Sequence, residues 1–224
     1  MLTCWLIRHG ESESNAGLPT ADMAMIRLTE RGVEQAKRVA QAFNDQPALI
    51  VTSRYVRASQ TAQPTINRFP CVPVEEWPVQ EFTYLSLPQD VLMTVSQRAP
   101  LAEDYWARCD PFYIDGPGAE SFSDFIGRAA CFLRRLRDYS DDDYSDEGDS
   151  DRTIAVFSHG QFIQAVLWLL LSGPINMDPK AFARYRQFIR GVPFDNGAIA
   201  RIHFARDGNG SVIPMLSGIV TPLP

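Results

Sequence analysis

The sequence predicts an α/β fold: a three-layer α/β/α sandwich with a mostly parallel central sheet and an antiparallel C-terminal edge. Three observations carry this. Short apolar runs at Leu2–Ile7, Ala48–Thr52 and Ile154–Phe157 have the length and continuity of strands buried on both faces. Helix-like segments separate these runs, an alternation that produces parallel strands. Near the C-terminus, Ala198–Phe204, the turn Asp207-Gly208-Asn209-Gly210 and Val212–Leu216 read as a hairpin.

Taken in order, Leu2–Ile7 opens the sheet. Thr29 caps a helix running to about Asn44, with Val33, Ala36, Ala40 and Phe43 on one face. After the second strand, Ser53 begins a loop that turns into a helix. Pro64 is expected to stop it, because proline lacks the amide hydrogen and its ring clashes one turn back. Val72–Glu75 and Val79–Glu81 are short extended pieces interrupted by Pro78. Residues 83–118 show no clear period and are rich in proline. They read as a lid or insertion holding Tyr84, Tyr105, Trp106, Phe112 and Tyr113. Ser121 with Asp124 resembles a capping box, heading a helix through Phe125, Ala129, Leu133 and Leu136. Residues 138–151 carry eight acids and no base, and are expected to be a solvated loop. Gln161–Leu171 is apolar, hence a buried helix. With no repeat and no linker, residues 1–224 read as a single domain.

At 224 residues the chain can bury a good core. Its 45% hydrophobic and 21% charged content is ordinary for a water-soluble domain. The net charge of −6 comes from the acidic run, so neither a generally acidic surface nor a nucleic-acid partner is implied. The bases are 19 Arg and 2 Lys. Arginine suits bidentate recognition of phosphate or carboxylate, although compositional bias accounts for most surface arginines. Ala165–Leu171 is too short to cross a bilayer, and no basic region precedes the first apolar run. A cytoplasmic protein without a membrane partner is expected. Cys4, Cys71, Cys109 and Cys131 are scattered, with no Cys-x-x-Cys pair. They read as buried thiols rather than a disulfide frame or zinc site.

The chain has three histidines, and two share one context. Arg8-His9-Gly10 follows the first apolar run and Ser158-His159-Gly160 follows the third. In an open α/β sheet those strand ends are where ligands bind, so the two imidazoles are candidates to meet. His9 is the natural nucleophile. Imidazole has an unperturbed pKa of about 6.5, so a neutral nitrogen is available near neutrality. It can also form a covalent intermediate. Arg8 places a cation beside it, Gly10 leaves room for a ligand, and Asn15 adds a neutral donor. Ser53 to Ala62 follows its own strand and opens a helix, an end that attracts anions. Arg57, about one turn inside, can project toward that end. His159 can donate to oxygens on which charge builds. The spacing fits no common metal motif, and His203, inside the terminal strand, reads as structural. There is no phosphate-binding Gly-x-x-x-x-Gly-Lys loop and no dinucleotide fingerprint. No metal or cofactor is expected.

Five segments fall in a familiar order over residues 1 to about 200. They are Arg8-His9-Gly10-Glu11-Ser12-x-x-Asn15, Leu28-Thr29-x-x-Gly32-x-x-Gln35-Ala36, Ser53-x-x-x-Arg57-Ala58-x-Gln60-Thr61-Ala62, Glu120-Ser121 and Ser158-His159-Gly160. Together they resemble the histidine phosphatase superfamily, which includes cofactor-independent phosphatases and cofactor-dependent phosphoglycerate mutases. The resemblance implies that His9 attacks phosphorus and becomes a phosphohistidine. It implies that Arg8, Arg57 and His159 bind the phosphoryl oxygens, with Asn15 and Gly160 assisting. It also implies an acid that protonates the leaving oxygen and later activates water. Its position after the Arg-Ala-x-Gln-Thr segment selects Glu81, with Glu75 and Glu76 as rivals.

Two departures shape the expectation. Mutases of the family usually follow the acid with Arg-x-Tyr-Gly, where this chain has Phe82-Thr83-Tyr84; the Trp-Glu-Gly pattern of many phosphatases is also missing. The expectation is a metal-independent, histidine acid-type phosphatase acting on phosphomonoesters, its substrate a small phosphorylated molecule or a phosphoprotein. A phosphoglycerate mutase-type isomerase and a phospho-ligand binding module are the alternatives.

Overall fold

Alternation along the first strand, β1 (Leu2–Arg8), divides the core into two layers. Leu2, Cys4 and Leu6 face one layer and Ile7 the other. The computed structural model describes residues 1–88, 90–142, 152–173 and 175–222. After β1 come α1 (Glu30–Gln41), β2 (Leu49–Thr52), α2 (Val56–Arg68), β3 (Val74–Glu76) and α3 (Val95–Ala107). These are followed by α4 (Phe122–Asp142), β4 (Arg152–Ser158), α5 (Gly160–Ser172), α6 (Pro179–Gly191), β5 (Ile199–Arg206) and β6 (Val212–Val220).

The strands form one sheet in the order β3-β2-β4-β1-β5-β6. The first four are parallel, while β5 runs antiparallel to β1 and β6 antiparallel to β5. This is the predicted architecture, a parallel core with an antiparallel edge. On one face Val39, Phe43 and Ala62, from α1, its C-terminal extension and α2, pack on Ile7, Ile50, Ala155 and Phe157. On the other, α4, α5 and α6 bring Phe125, Phe162 and Phe182 against Leu6, Val51 and Val156. The chain therefore leaves β1 toward one face and the neighbouring β4 toward the other. That divergence is a topological switch point, where the strand ends open a crevice. The β1–β4 register ends on Arg8 opposite Ser158, so His9 and His159 are the next residue on each strand.

Several elements differ from expectation. Val33 is 41% exposed, and Gly32 takes the buried position in its place. α2 continues past Pro64 to Arg68, and the buried face formed by Ala58, Thr61 and Ala62 carries on at Thr65 beyond the proline. Arg68 Nη1 also donates to the Ala40 carbonyl at 2.5 Å, tying the helix end to α1. Residues 83–118 contain a helix, α3, despite Pro100. A reciprocal capping box between Thr94 and Gln97 starts it, and Tyr105 and Trp106 anchor it. Its period is hidden in the sequence because Arg98 is buried while Val95 and Leu101 are exposed. α6 was not foreseen, although Asp178 caps it and Pro179 occupies its first turn, a start signal legible in sequence. α4 reaches Asp142, so the beginning of the acidic run is helical; residues 143–151 lie outside the described residues. Val79–Glu81 is not a strand, and β3 lies at Val74–Glu76. Cys4 is buried as expected, but Cys71, Cys109 and Cys131 are exposed, and all four thiols are free. Among the described residues no helix is long and apolar enough to cross a membrane.

Candidate active site

His9 is buried at the end of β1, its backbone fixed by β4 and by the turn that precedes β5. Its N–H donates to the Ser158 carbonyl at 3.0 Å, and its carbonyl accepts from Asn196 Nδ2 at 3.0 Å. The ring's tautomer follows from its partners. Nδ1 lies 2.7 Å from the Gly10 carbonyl, which can only accept, so Nδ1 carries the proton. Arg57 Nε, which can only donate, meets Nε2 at 3.1 Å, so Nε2 presents its lone pair. Burial, with Arg57 and then Arg8 close by, holds the imidazole well below its ordinary pKa. His9 is thus a neutral imidazole with an unprotonated Nε2.

Two guanidiniums accompany it. Arg57 sits in the first turn of α2, nearer the helix start than its spacing suggested. Its Nη1 donates to the Met23 carbonyl at 2.6 Å, and its guanidinium carbon lies 4.9 Å from the centre of the Tyr55 ring. Burial lowers its pKa to about 10, partly countered by Glu81. Arg8 donates to the Phe194 carbonyl, while its buried Nε has no partner among the described residues. Burial lowers its pKa as well, opposed by Glu81 and Asp195. For both guanidiniums the cost of burial outweighs the pull of these carboxylates, and a functional site is where such cost is tolerated.

The second imidazole lies behind the first. The ring centres of His9 and His159 are 5.1 Å apart and tilted by 59°. His159 is fully buried and packs edge-on against Tyr55 at 5.2 Å. Its Nε2 lies 2.9 Å from Ser53 Oγ, which also accepts from the Tyr55 N–H at 3.2 Å. The Ser53 hydroxyl, with one hydrogen and two lone pairs, can either donate to Nε2 or accept from it, and among the described residues the buried Nδ1 has no partner. Burial, Arg57 and His9 hold this imidazole well below its ordinary pKa too.

Glu81 closes the opposite side. Its Oε1 accepts from the backbone N–H groups of Phe82 and Gln161 at 3.1 Å and of Phe162 at 3.3 Å. The carboxylate thus sits on the N-terminus of α5, and Oε2 has only a longer contact, 3.4 Å, to Gln161. Glu75 bonds Trp77 and Arg135 on β3, away from this position, and Glu76 shares that strand. A cavity of about 370 Å³ opens over the group, lined among others by Arg8, His9, Asn15, Arg57 and Glu81. His159 and Gly160 are not on its wall; a Cβ on Gly160 would lie 3.3 Å from Arg8 Nε, so this glycine makes room for the arginine. Asn15 is exposed at the rim, its Oδ1 accepting from Ser12 Oγ at 2.9 Å and from Asn196 at 3.1 Å.

Gly10 does not serve the ligand as expected. A Cβ there would come within 2.4 Å of the Gly32 carbonyl, and one on Gly32 within 2.0 Å of the Glu11 carbonyl. The two glycines let the loop after His9 lie directly on α1. His203 is structural as expected, its Nδ1 2.8 Å from Thr3 Oγ1. Sequence reading assigned no role to Ser53, Thr61 or Asn196. Thr61 Oγ1 donates to the Arg57 carbonyl at 2.6 Å and accepts from the Gly10 N–H at 3.0 Å, joining two motifs. Ser53 and Thr61 lay inside a recognised segment, a usable signal. Asn196 had none, since its role depends on β5 pairing with β1. Among the described residues no group of three His, Cys, Asp or Glu is placed to hold a metal ion.

A neutral imidazole sharing a cavity wall with two guanidiniums, at the switch point of a doubly wound sheet, defines an α/β protein with a pocket suited to a tetrahedral oxyanion. Comparison with known proteins makes this specific. The chain belongs to the histidine phosphatase superfamily: the model for branch 1 of that superfamily matches residues 4–212. It is 29% identical over 185 residues to the adenosylcobalamin/alpha-ribazole phosphatase of Escherichia coli, covering 81% of this chain and 83% of that one. It is 26% identical over 187 residues to a 2,3-bisphosphoglycerate-dependent phosphoglycerate mutase of Clavibacter michiganensis, covering 74% of each. In fold it resembles mycobacterial glucosyl-3-phosphoglycerate phosphatase, with TM-score 0.71, 23% identity and coverage of 96% and 97%. The relatives thus include both phosphatases and mutases.

Proposed function

We propose that this protein is a metal-independent phosphatase that hydrolyses phosphomonoesters through a phosphohistidine on His9. The observation that carries the reading is the unprotonated Nε2 of His9, which meets Arg57 Nε at 3.1 Å on a cavity wall that Arg8 shares. Phosphoryl transfer asks a protein chiefly for positioning and charge neutralisation, which two buried guanidiniums supply.

In the first step Nε2 forms an N–P bond as the ester P–O bond breaks. Arg8 and Arg57 bond the phosphoryl oxygens, and Asn15 adds a donor at the rim. His159, held through Ser53 and packed against His9, supplies a further donor when Nδ1 carries the ring proton. Glu81 is the acid: Oε1 is held by three backbone N–H groups, so Oε2 is the oxygen freer to pass a proton to the leaving alkoxide. In the second step Glu81 takes a proton from water, whose oxygen displaces Nε2 from phosphorus, releasing phosphate. The site works in the cytoplasm on this reading.

The test is phosphate release from p-nitrophenyl phosphate at pH 5–8, with and without EDTA, together with acid-labile labelling of the protein. Chelator-resistant release, lost in His9→Ala by at least about a thousandfold, is the expected result. Loss with EDTA alone would overturn metal independence. Stable phosphorylation by a bisphosphoglycerate without net release would make the protein a mutase. No release and no labelling would leave a binding module.

A further inference from the structure

The cavity has two unlike ends, and the far one addresses the alcohol side of the ester. We propose that the substrates are phosphomonoesters of apolar, uncharged alcohols, seated with their hydrocarbon against α3 and residues 85–87. This rests on the phosphatase reading above.

The near end is the basic group around His9. Beyond it, α3 lines the cavity with Val95, Ala99 and Ala102, and the segment before it adds Leu85 and Leu87. Phe82 and Tyr84 form the floor, braced by the buried rings of Tyr105 and Trp106. Val95 is 53% exposed, so α3 turns aliphatic surface to the solvent at a concave wall. Such surface favours an apolar occupant.

The polar groups at this end are largely engaged in bonds of their own. Arg98 is the cation α3 contributes, and it is buried. Its Nη2 donates to the Thr20 hydroxyl and the Met93 carbonyl, and its Nη1 meets the Met23 thioether at 3.0 Å. Thr20 and Met93 also exchange paired backbone hydrogen bonds, each 3.0 Å. Arg98 thus fastens the lid to the loop after β1. Just over one turn along α3, Glu103 puts a carboxylate on the same wall, bonded to Arg186 and Arg190. A leaving group bearing its own carboxylate or phosphate meets a guanidinium bonded to three neutral acceptors, and an acid near it. A hydrocarbon meets five aliphatic side chains.

The experiment is kcat/KM for a series of n-alkyl phosphates from ethyl to hexyl, with 3-phosphoglycerate and phosphoserine alongside. The alkanols are nearly equal as leaving groups, so the series reads contact with the wall. Full burial of a methylene is worth about fourfold. The expected result is a rise of about two- to fourfold per methylene, with both acidic esters below butyl phosphate. Ala99→Asp, at an exposed position whose folding is checked by circular dichroism, should flatten the series. A flat series with clear phosphate release, or acidic esters turned over faster than hexyl phosphate, overturns the proposed substrate class and leaves the phosphatase reading standing. No release from any ester, p-nitrophenyl phosphate included, overturns both.

Discussion

Arg57 Nε donates to His9 Nε2 at 3.1 Å, so the lone pair expected to attack phosphorus is held by the cation expected to bind the phosphoryl group. The bond keeps Nε2 unprotonated and aimed at the pocket. For attack, Arg57 must exchange Nε2 for a phosphoryl oxygen, a move that its remaining bond to the Met23 carbonyl would guide.

Arg57→Lys therefore keeps the charge and removes the geometry. An ammonium carries the charge but lacks the fork that holds Nε2, Met23 and an oxyanion together. Steady-state kinetics should show kcat/KM lower by about a hundredfold, equivalent to about 3 kcal/mol. Activity within fivefold of wild type would show that only the charge matters.

The buried imidazole sets the pH profile. His9 is held well below the ordinary histidine pKa by burial and two arginines, and attack requires its neutral form. Its protonation therefore cannot shape activity near pH 6.5. The acid limb of kcat/KM should lie well below that, leaving activity sustained from pH 7 to 5.5. A limb centred near 6.5 would mean the ring is solvated.

Stability should respond to the same burial with a definite sign. His9 and His159 both have folded pKa values below the ordinary one. Below about pH 6.5 the unfolded chain takes up protons that the folded chain refuses, so acid favours unfolding. The slope approaches about 1.4 kcal/mol per pH unit for each histidine. Above pH 6.5 neither contributes. Urea denaturation at pH 7.5 and 5.5 checks this, with His159→Gln losing roughly half the difference.

Ser53→Ala tests the second imidazole. It leaves His159 Nε2 without its 2.9 Å partner and frees the ring to change tautomer. A buried polar atom left unsatisfied costs about 1–3 kcal/mol. We expect kcat to fall by about ten- to a hundredfold with KM changing less. An equal loss in a thermal melt without loss of kcat would make Ser53 purely structural.

Gly32→Ala should be severe although it touches no substrate. Its Cβ would sit 2.0 Å from the Glu11 carbonyl, backbone against backbone, with nothing flexible to yield. Overpacking of this kind costs about 1–3 kcal/mol or more, and it pushes the loop bearing His9 off α1. A melt and an activity assay should fall together.

The sheet, its direction change and the two histidines were legible in the sequence because they depend on local pattern. Apolar runs bounded by polar residues mark buried strands wherever they occur, and His9 and His159 directly follow two of them. The family resemblance also selected Arg57 and Glu81, both of which line the cavity. What only the tertiary structure decided is what depends on pairing between distant segments. That β1 lies beside β4, in the register that sets the imidazoles 5.1 Å apart, is written in no local pattern. The same holds for Asn196, which reaches His9 only because β5 pairs with β1. α3 escaped detection because a buried arginine and exposed aliphatics invert the usual amphipathic order. That inversion arises from the cavity α3 covers, a surface that exists only once the chain has folded.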